Sequence, residues 1–220
     1  MFAQYFKRFF ICSFGLALFG FGNFFGVMAG SAGTNAWNTL ALGISDSSGI
    51  SFGTATFLIS LFIILLDIIG KGKLGFGTFL NVVLISLCSD IFLNILSFVP
   101  TASNAFTGAV YTLIGQTIIS FATIVYMKPA LGCGPRDTLM IIIGRKFPKA
   151  PIGLVKFCIE VIALIIGIIM GAPFGIGTVL VMALQASIFQ FACKVCRYEP
   201  RSIEHEDMID TCRKILGKQH

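Results

Sequence analysis

Residues 57–84 read FLISLFIILLDIIGKGKLGFGTFLNVVL, and residues 157–184 read FCIEVIALIIGIIMGAPFGIGTVLVMAL. Each is an apolar run, a short glycine-containing break, the string Gly-x-Gly-Thr, and a second apolar run. Gly75-Phe76-Gly77-Thr78 falls on Gly175-Ile176-Gly177-Thr178, and Phe57, Ile59, Ile68, Ile69, Leu80 and Leu84 fall on Phe157, Ile159, Ile168, Ile169, Leu180 and Leu184. One residue out of register, Asn38-Thr39-Leu40 falls on Asp137-Thr138-Leu139. Aliphatic matches come cheaply in an apolar chain, so the paired Gly-x-Gly-Thr strings carry the repeat. Apolar runs of about 18 residues or more with few charges read as membrane spans.

Working outward from these stretches, six runs can be drawn, at about 9–30, 53–70, 75–98, 106–127, 151–171 and 175–193. The chain of 220 residues is 56% hydrophobic and 12% charged, against about 25% charged in soluble domains. This predicts an all-α membrane protein: one membrane domain over 1–196 and a polar tail over 197–220. A helix is expected in the tail, with Ile209, Cys212 and Leu216 on one face. His205 and His220 are expected to be solvated.

Basic residues set the orientation. Lys7 and Arg8 precede the first span; Lys71 and Lys73 separate the second from the third. Lys128, Arg136, Arg145, Lys146 and Lys149 separate the fourth from the fifth, and Lys194, Arg197 and the tail follow the sixth. Segments 31–52, 99–105 and 172–174 hold no Lys or Arg. Positive loops stay inside, so both termini are expected in the cytoplasm of a multi-pass protein. The net charge of +6 then faces anionic lipid and implies no nucleic acid. The first span also fits a signal peptide, but the repeat argues that it is retained.

Repeat 1 (about 9–98) and repeat 2 (about 106–193) hold three spans each. An odd number makes the second copy insert upside down, which is the inverted repeat of many secondary transporters. Between the first two spans of each copy lies a short segment, 36–45 and 135–145. Ten helical residues cover only ~15 Å, so these are expected to be half-helices, either re-entrant or lying at the interface. Pro135 suits a first helical turn. Trp37 is read as an interface anchor.

Intramembrane polar residues are costly and are functional suspects. Glu160 lies near the middle of the fifth span, where it can carry a proton or pair with Lys156 or Arg136. Asp90 lies on a stripe with Ser86 and Asn94, and its repeat counterpart is Gln190. With Gln116 and Asn38, these are the candidate pathway contacts. Thr112, Gln116, Ser120 and Thr123 share one face as a lining or as helix-to-helix glue. Arg136 and Asp137 are placed at the inner mouth. Asp67 is expected to pair with Lys71. Gly22, Gly26 and Gly30 form a small-residue ridge for packing in the bundle or against a second copy. Gly75, Gly77, Gly175 and Gly177 are read as sharp entries into spans, each capped by its Thr.

Ala36-Trp37-Asn38-Thr39-Leu40, Gly49-Ile50-Ser51-Phe52-Gly53-Thr54, the first Gly-x-Gly-Thr, Gly132-Cys133-Gly134-Pro135-Arg136-Asp137, Glu160 and the second Gly-x-Gly-Thr follow in that order. Over about 15–193 the chain resembles the YczE/YyaS-like family of bacterial integral membrane proteins. It departs from the family where Ala36 stands for an expected Pro and Thr138 for an expected Gly. The resemblance implies a bacterial cytoplasmic membrane protein and names no substrate.

No HExxH, GxSxG or GxxxxGK[ST] string occurs, so no enzyme, cofactor or metal is expected. The seven cysteines include Cys193-x-x-Cys196, read as free thiols at the membrane border. The leading expectation is a small-molecule or ion permease with its pathway between the repeats. Glu160 and Asp90 would be open to proton coupling. The alternative is a non-transporting accessory or assembly subunit, docking through its glycine ridge and tail onto a homodimer mate or a partner membrane protein.

Overall fold

A computed structural model describes residues 2–199 and 205–215. Among them every regular element is helical: α1 (Phe2–Met28), a 3-10 turn (Gly30–Ala32), α2 (Ala36–Ser48), α3 (Phe52–Ile69), α4 (Phe76–Ile95), α5 (Ala105–Met127), α6 (Pro135–Lys146), α7 (Ile152–Ile169), α8 (Ile176–Cys196) and α9 (Met208–Ile215). The helices α1, α3, α4, α5, α7 and α8 are long and apolar enough to cross a membrane. Their outward faces are rich in apolar residues, among them Phe10, Phe62, Leu87, Val110, Ile165 and Phe191. In water such a surface would aggregate; in lipid it is solvated.

The helices start where the sequence supplies caps. Asn35 Oδ1 accepts from Asn38 N at 3.0 Å at the head of α2, and Ser51 Oγ accepts from Thr54 N at 3.0 Å at the head of α3. Pro135 takes the first turn of α6, where no backbone donor is needed. The two short helices therefore end close to where the sequence placed them. The glycine ridge is used inside the bundle. Gly22 lies against Gly115 and Ile119 of α5, and Gly26 against Thr34 and Asn38. Gly30 is not on the ridge, because α1 ends at Met28 and Gly30 turns at φ 56° against Thr101.

Neighbour relations repeat between the halves. α1 packs on α4 as α5 packs on α8; α2 packs on α7 as α6 packs on α3; α1 and α5 form the broad central contact. One relation breaks the pattern. α3 packs along α4, but its counterpart α7 stands apart from α8. Accordingly only 22% of α7 and of α8 is buried, against 50% of α3.

The connections gather on two faces. Arg8 Nε donates to Pro129 O at 2.8 Å, Glu206 N to Ala130 O at 2.9 Å and Met208 N to Leu74 O at 3.0 Å. These bonds bring the head of α1, the α3–α4 and α5–α6 links and the tail together, and these are the segments rich in Lys and Arg. On the opposite face Ala102 N donates to Met28 O at 2.9 Å, and Gly175 lies against Ser31 and Ala32. The segments that meet there carry no Lys or Arg.

The tail departs from its expected pattern. Thr211 is the buried residue of α9, whereas Ile209 and Cys212 are exposed. The reason is Glu206, which accepts from Thr211 Oγ1 at 3.1 Å and fixes the helix by a polar contact. Leu216 and His220 lie outside the described residues.

Candidate functional site

The two Gly-x-Gly-Thr strings do not merely start spans; each holds the loop that leads into the other half's short helix. Gly75 and Gly77 press on Leu131 and Gly132 before α6, while Gly175 and Gly177 press on Ala32 and Gly33 before α2. The approach is backbone to backbone. A methyl group on Gly75 would lie 2.7 Å from Gly132 Cα, and one on Gly175 would lie 2.6 Å from Ser31 O. Gly132 and Gly33 themselves need positive φ, 120° and 77°, which side-chain-bearing residues rarely adopt.

The α4–α6 clamp is the better bonded. Gly77 N donates to Leu131 O at 2.7 Å. Thr78 Oγ1 accepts from Gly75 N at 3.2 Å and donates to Cys133 O at 2.7 Å. In the α8–α2 clamp Thr178 is fully buried with no hydrogen-bond partner for its hydroxyl. There Thr112 Oγ1 supplies a bond instead, donating to Gly33 O at 2.8 Å.

The clamps aim the first turns of α2 and α6 at each other. The Arg136 guanidinium carbon sits 4.5 Å over the Trp37 ring centroid, a cation–π stack between equivalent positions of the two halves. Trp37 is therefore part of an internal seam and not a simple interface anchor. Next to it, Tyr126 Oη lies 3.5 Å from Asp137 Oδ2. Burial pulls the Arg136 guanidinium down to about 10. Burial also pushes the Asp137 carboxyl up. Each charge is thus held in a place that disfavours it.

Glu160 completes the group. Its Oε2 accepts from Gln185 Nε2 at 2.5 Å, the one side-chain hydrogen bond across the gap between α7 and α8. Its Oε1 lies 3.9 Å from Lys156 Nζ, one turn below. Glu160 is buried whereas the Lys156 side chain is half exposed. Arg136 lies within electrostatic reach of Glu160, and Asp137 of both Glu160 and Lys156. The arrangement is a buried carboxyl bonded to an amide, with a stacked guanidinium and a second carboxyl at a helix head. Its carboxyls can take up and release a proton, and its polar atoms can hydrogen-bond a polar solute.

Other expected pathway residues go elsewhere. Asp90 takes Ser51 Oγ at 2.5 Å and Gly53 N at 2.6 Å, so it caps α3 far from Glu160. Asn94 bonds the Asp90 carbonyl and Ser86 the Val82 carbonyl. Gln190 is exposed on α8. Ser120 and Thr123 donate to carbonyls of their own helix, and Gln116 and Asn38 are buried. Asp67 does not pair with Lys71: it is fully buried with both oxygens unbonded, while Lys71 turns outward at φ 55°. The seven cysteines are free thiols. Gln185 and Tyr126 were missed. Symmetry pointed away from Gln185, because its counterpart by the repeat is the apolar Ile85.

Residues 6–194 match DUF6198, a family of unknown function. An uncharacterized protein of Haemophilus influenzae is 35% identical over 189 residues, 86% of this chain and 84% of that protein. The uncharacterized membrane protein YczE of Bacillus subtilis is 27% identical over 81% of each chain. The uncharacterized protein YyaS of the same organism is 24% identical over 69% of this chain and 76% of its own. No solved structure matches the chain.

Proposed function

This chain belongs to the DUF6198 family, and from that premise we propose that it is a small-molecule or ion permease of the bacterial cytoplasmic membrane. It is assigned no enzymatic reaction. Its pathway runs between two halves inserted in opposite senses, with the Lys- and Arg-rich face and both termini in the cytoplasm. The observation that carries the reading is the broken symmetry: α3 closes on α4, while α7 stands off α8 around Glu160. Two equivalent halves, one shut and one open, make a molecule that can exchange their states and so expose a central site to alternate sides. Asp90 takes no part; Glu160, Gln185, Arg136 and Asp137 make the site.

The test is current across a solid-supported membrane carrying reconstituted protein, after concentration jumps of protons, sodium, potassium, chloride, phosphate and acetate. Wild type should carry current for at least one of these. Glu160→Gln, still monodisperse and inserted, should lose roughly tenfold or more of it, the loss expected when a proton-transfer group is removed. Equal currents from the two proteins, or none from wild type, overturn the reading. Gln190, exposed on a lipid-facing span, favours the second reading, an accessory subunit whose α8 docks a partner helix by hydrogen bonding. Silence in every jump would favour that reading.

A further inference from the structure

On the basic face, a cavity of about 470 Å³ lies between the α3–α4 link, α6 and the tail. That volume is in the range of small-molecule sites. Its walls include Lys73, Arg145, Lys214, His205, Thr138 and Cys133, with Glu206 and Asp210 as the acids. Glu206 is already committed. It accepts from Arg8 at 3.0 Å, Lys214 at 3.1 Å, Tyr5 at 3.2 Å and Thr211 at 3.1 Å. Lys73 and Arg145 have no hydrogen bond and no carboxylate within ion-pair distance among the described residues. His205, expected in solvent, is instead half-buried by the packing of the tail against α6, and its Nδ1 is buried with no partner. Lys73 and Arg145, two cations without a carboxylate partner, therefore line one partly open cavity together with the edge of His205, with Asp210 as the acid not already bonded. The Thr138 hydroxyl there already donates to Gly134 O at 3.3 Å. Arg145 offers the fork geometry that suits a tetrahedral oxyanion.

We propose that this cavity binds a phosphate group, carried by a small soluble metabolite or by a lipid headgroup. The cavity adjoins the Glu160 group at Thr138 and His205, which lie next to Asp137, but its binding of phosphate does not depend on transport. It touches α6 and the tail at once, so a bound phosphate would tie them together.

The test uses the full chain in detergent, titrated calorimetrically with inorganic phosphate, pyrophosphate and glycerol 3-phosphate. Alkylation of Cys133 is followed in parallel by peptide mass mapping. Saturable binding is expected, weakened roughly tenfold in Lys73→Gln and Arg145→Gln. It should be unchanged in Arg213→Gln, which is exposed on α9 away from the cavity. In wild type the bound phosphate should slow Cys133 alkylation, a readout that needs no variant to fold. If soluble phosphates fail but nanodiscs containing phosphatidylglycerol protect Cys133 relative to phosphatidylcholine alone, the phosphate belongs to a lipid. If neither source binds or protects, or sodium chloride at equal ionic strength protects as well, the proposal is overturned.

Discussion

The two Gly-x-Gly-Thr clamps share a sequence and a task, yet they differ in how they are held. The α4–α6 clamp has a hydrogen bond at each approach, and the tail is laid across it through Leu74 and Ala130. The α8–α2 clamp has the same close glycine packing but leaves Thr178 unpaired, and no part of the described tail reaches it. An unmade buried hydrogen bond costs about 1–3 kcal/mol. The second clamp should therefore open at lower cost, and it adjoins the half in which α7 and α8 are apart. A repeated motif fixes shape; the non-repeated partners decide which copy yields.

Substitution at the loop glycines breaks this comparison most strongly. Gly132→Ala meets backbone atoms of Gly75 at 2.8 Å in a left-handed conformation. It should cost about 3 kcal/mol. Gly33→Ala meets the buried Thr178 hydroxyl first and backbone atoms only at 3.0 Å and beyond, and should cost less, roughly 2 kcal/mol. Unfolding in mixed detergent followed by circular dichroism reads both; equal costs would deny the asymmetry.

The threonines sharpen it further. Thr78→Val strands the Cys133 carbonyl and should destabilise by about 2 kcal/mol. Thr178→Val removes an unpaired hydroxyl and should be neutral within about 0.5 kcal/mol, or stabilising. A loss at Thr178 matching that at Thr78 would mean that its hydroxyl has a partner in the membrane.

The smallest effect concerns the staple. Burial alone would raise the Glu206 carboxyl, but bonds from Lys214, Arg8 and Thr211 outweigh it and hold its pKa below 4.5. A depressed folded value gives stability present above the unfolded pKa and lost as pH falls below about 4.5 through the folded value. Protection of the 206–215 amides, relative to their intrinsic exchange rates, should fall in that window, by about 1 kcal/mol or less for so accessible a cluster. In Glu206→Gln this pH dependence of protection should vanish; protection in the α8–α2 clamp should not respond in either protein.

The spans and the short helices were legible because lipid and caps act locally. Run length fixes a span, and Asn35, Ser51 and Pro135 fix helix starts without reference to the rest of the chain. The repeat was legible through its glycines, but the reason for them was not. Gly75 serves residues 131 and 132, and such a partnership across the chain leaves no periodicity to read. Asp90 and Gln190 were paired by symmetry, and symmetry was the wrong guide. Asp90 answers to the bare N–H groups of α3, and Glu160 found Gln185, which has no polar counterpart. The Asp67–Lys71 pair failed because α3 ends at Ile69 and the chain turns Lys71 away.

The stack of Arg136 on Trp37 has an optical consequence. The chain contains a single tryptophan, and it sits at the seam between the halves under a cation. Excited beyond the absorption of its four tyrosines, the protein emits from one indole, whose wavelength and quenching respond to the separation of the two short helices. The molecule carries its own gauge of whether its halves have moved, and no label is needed to read it.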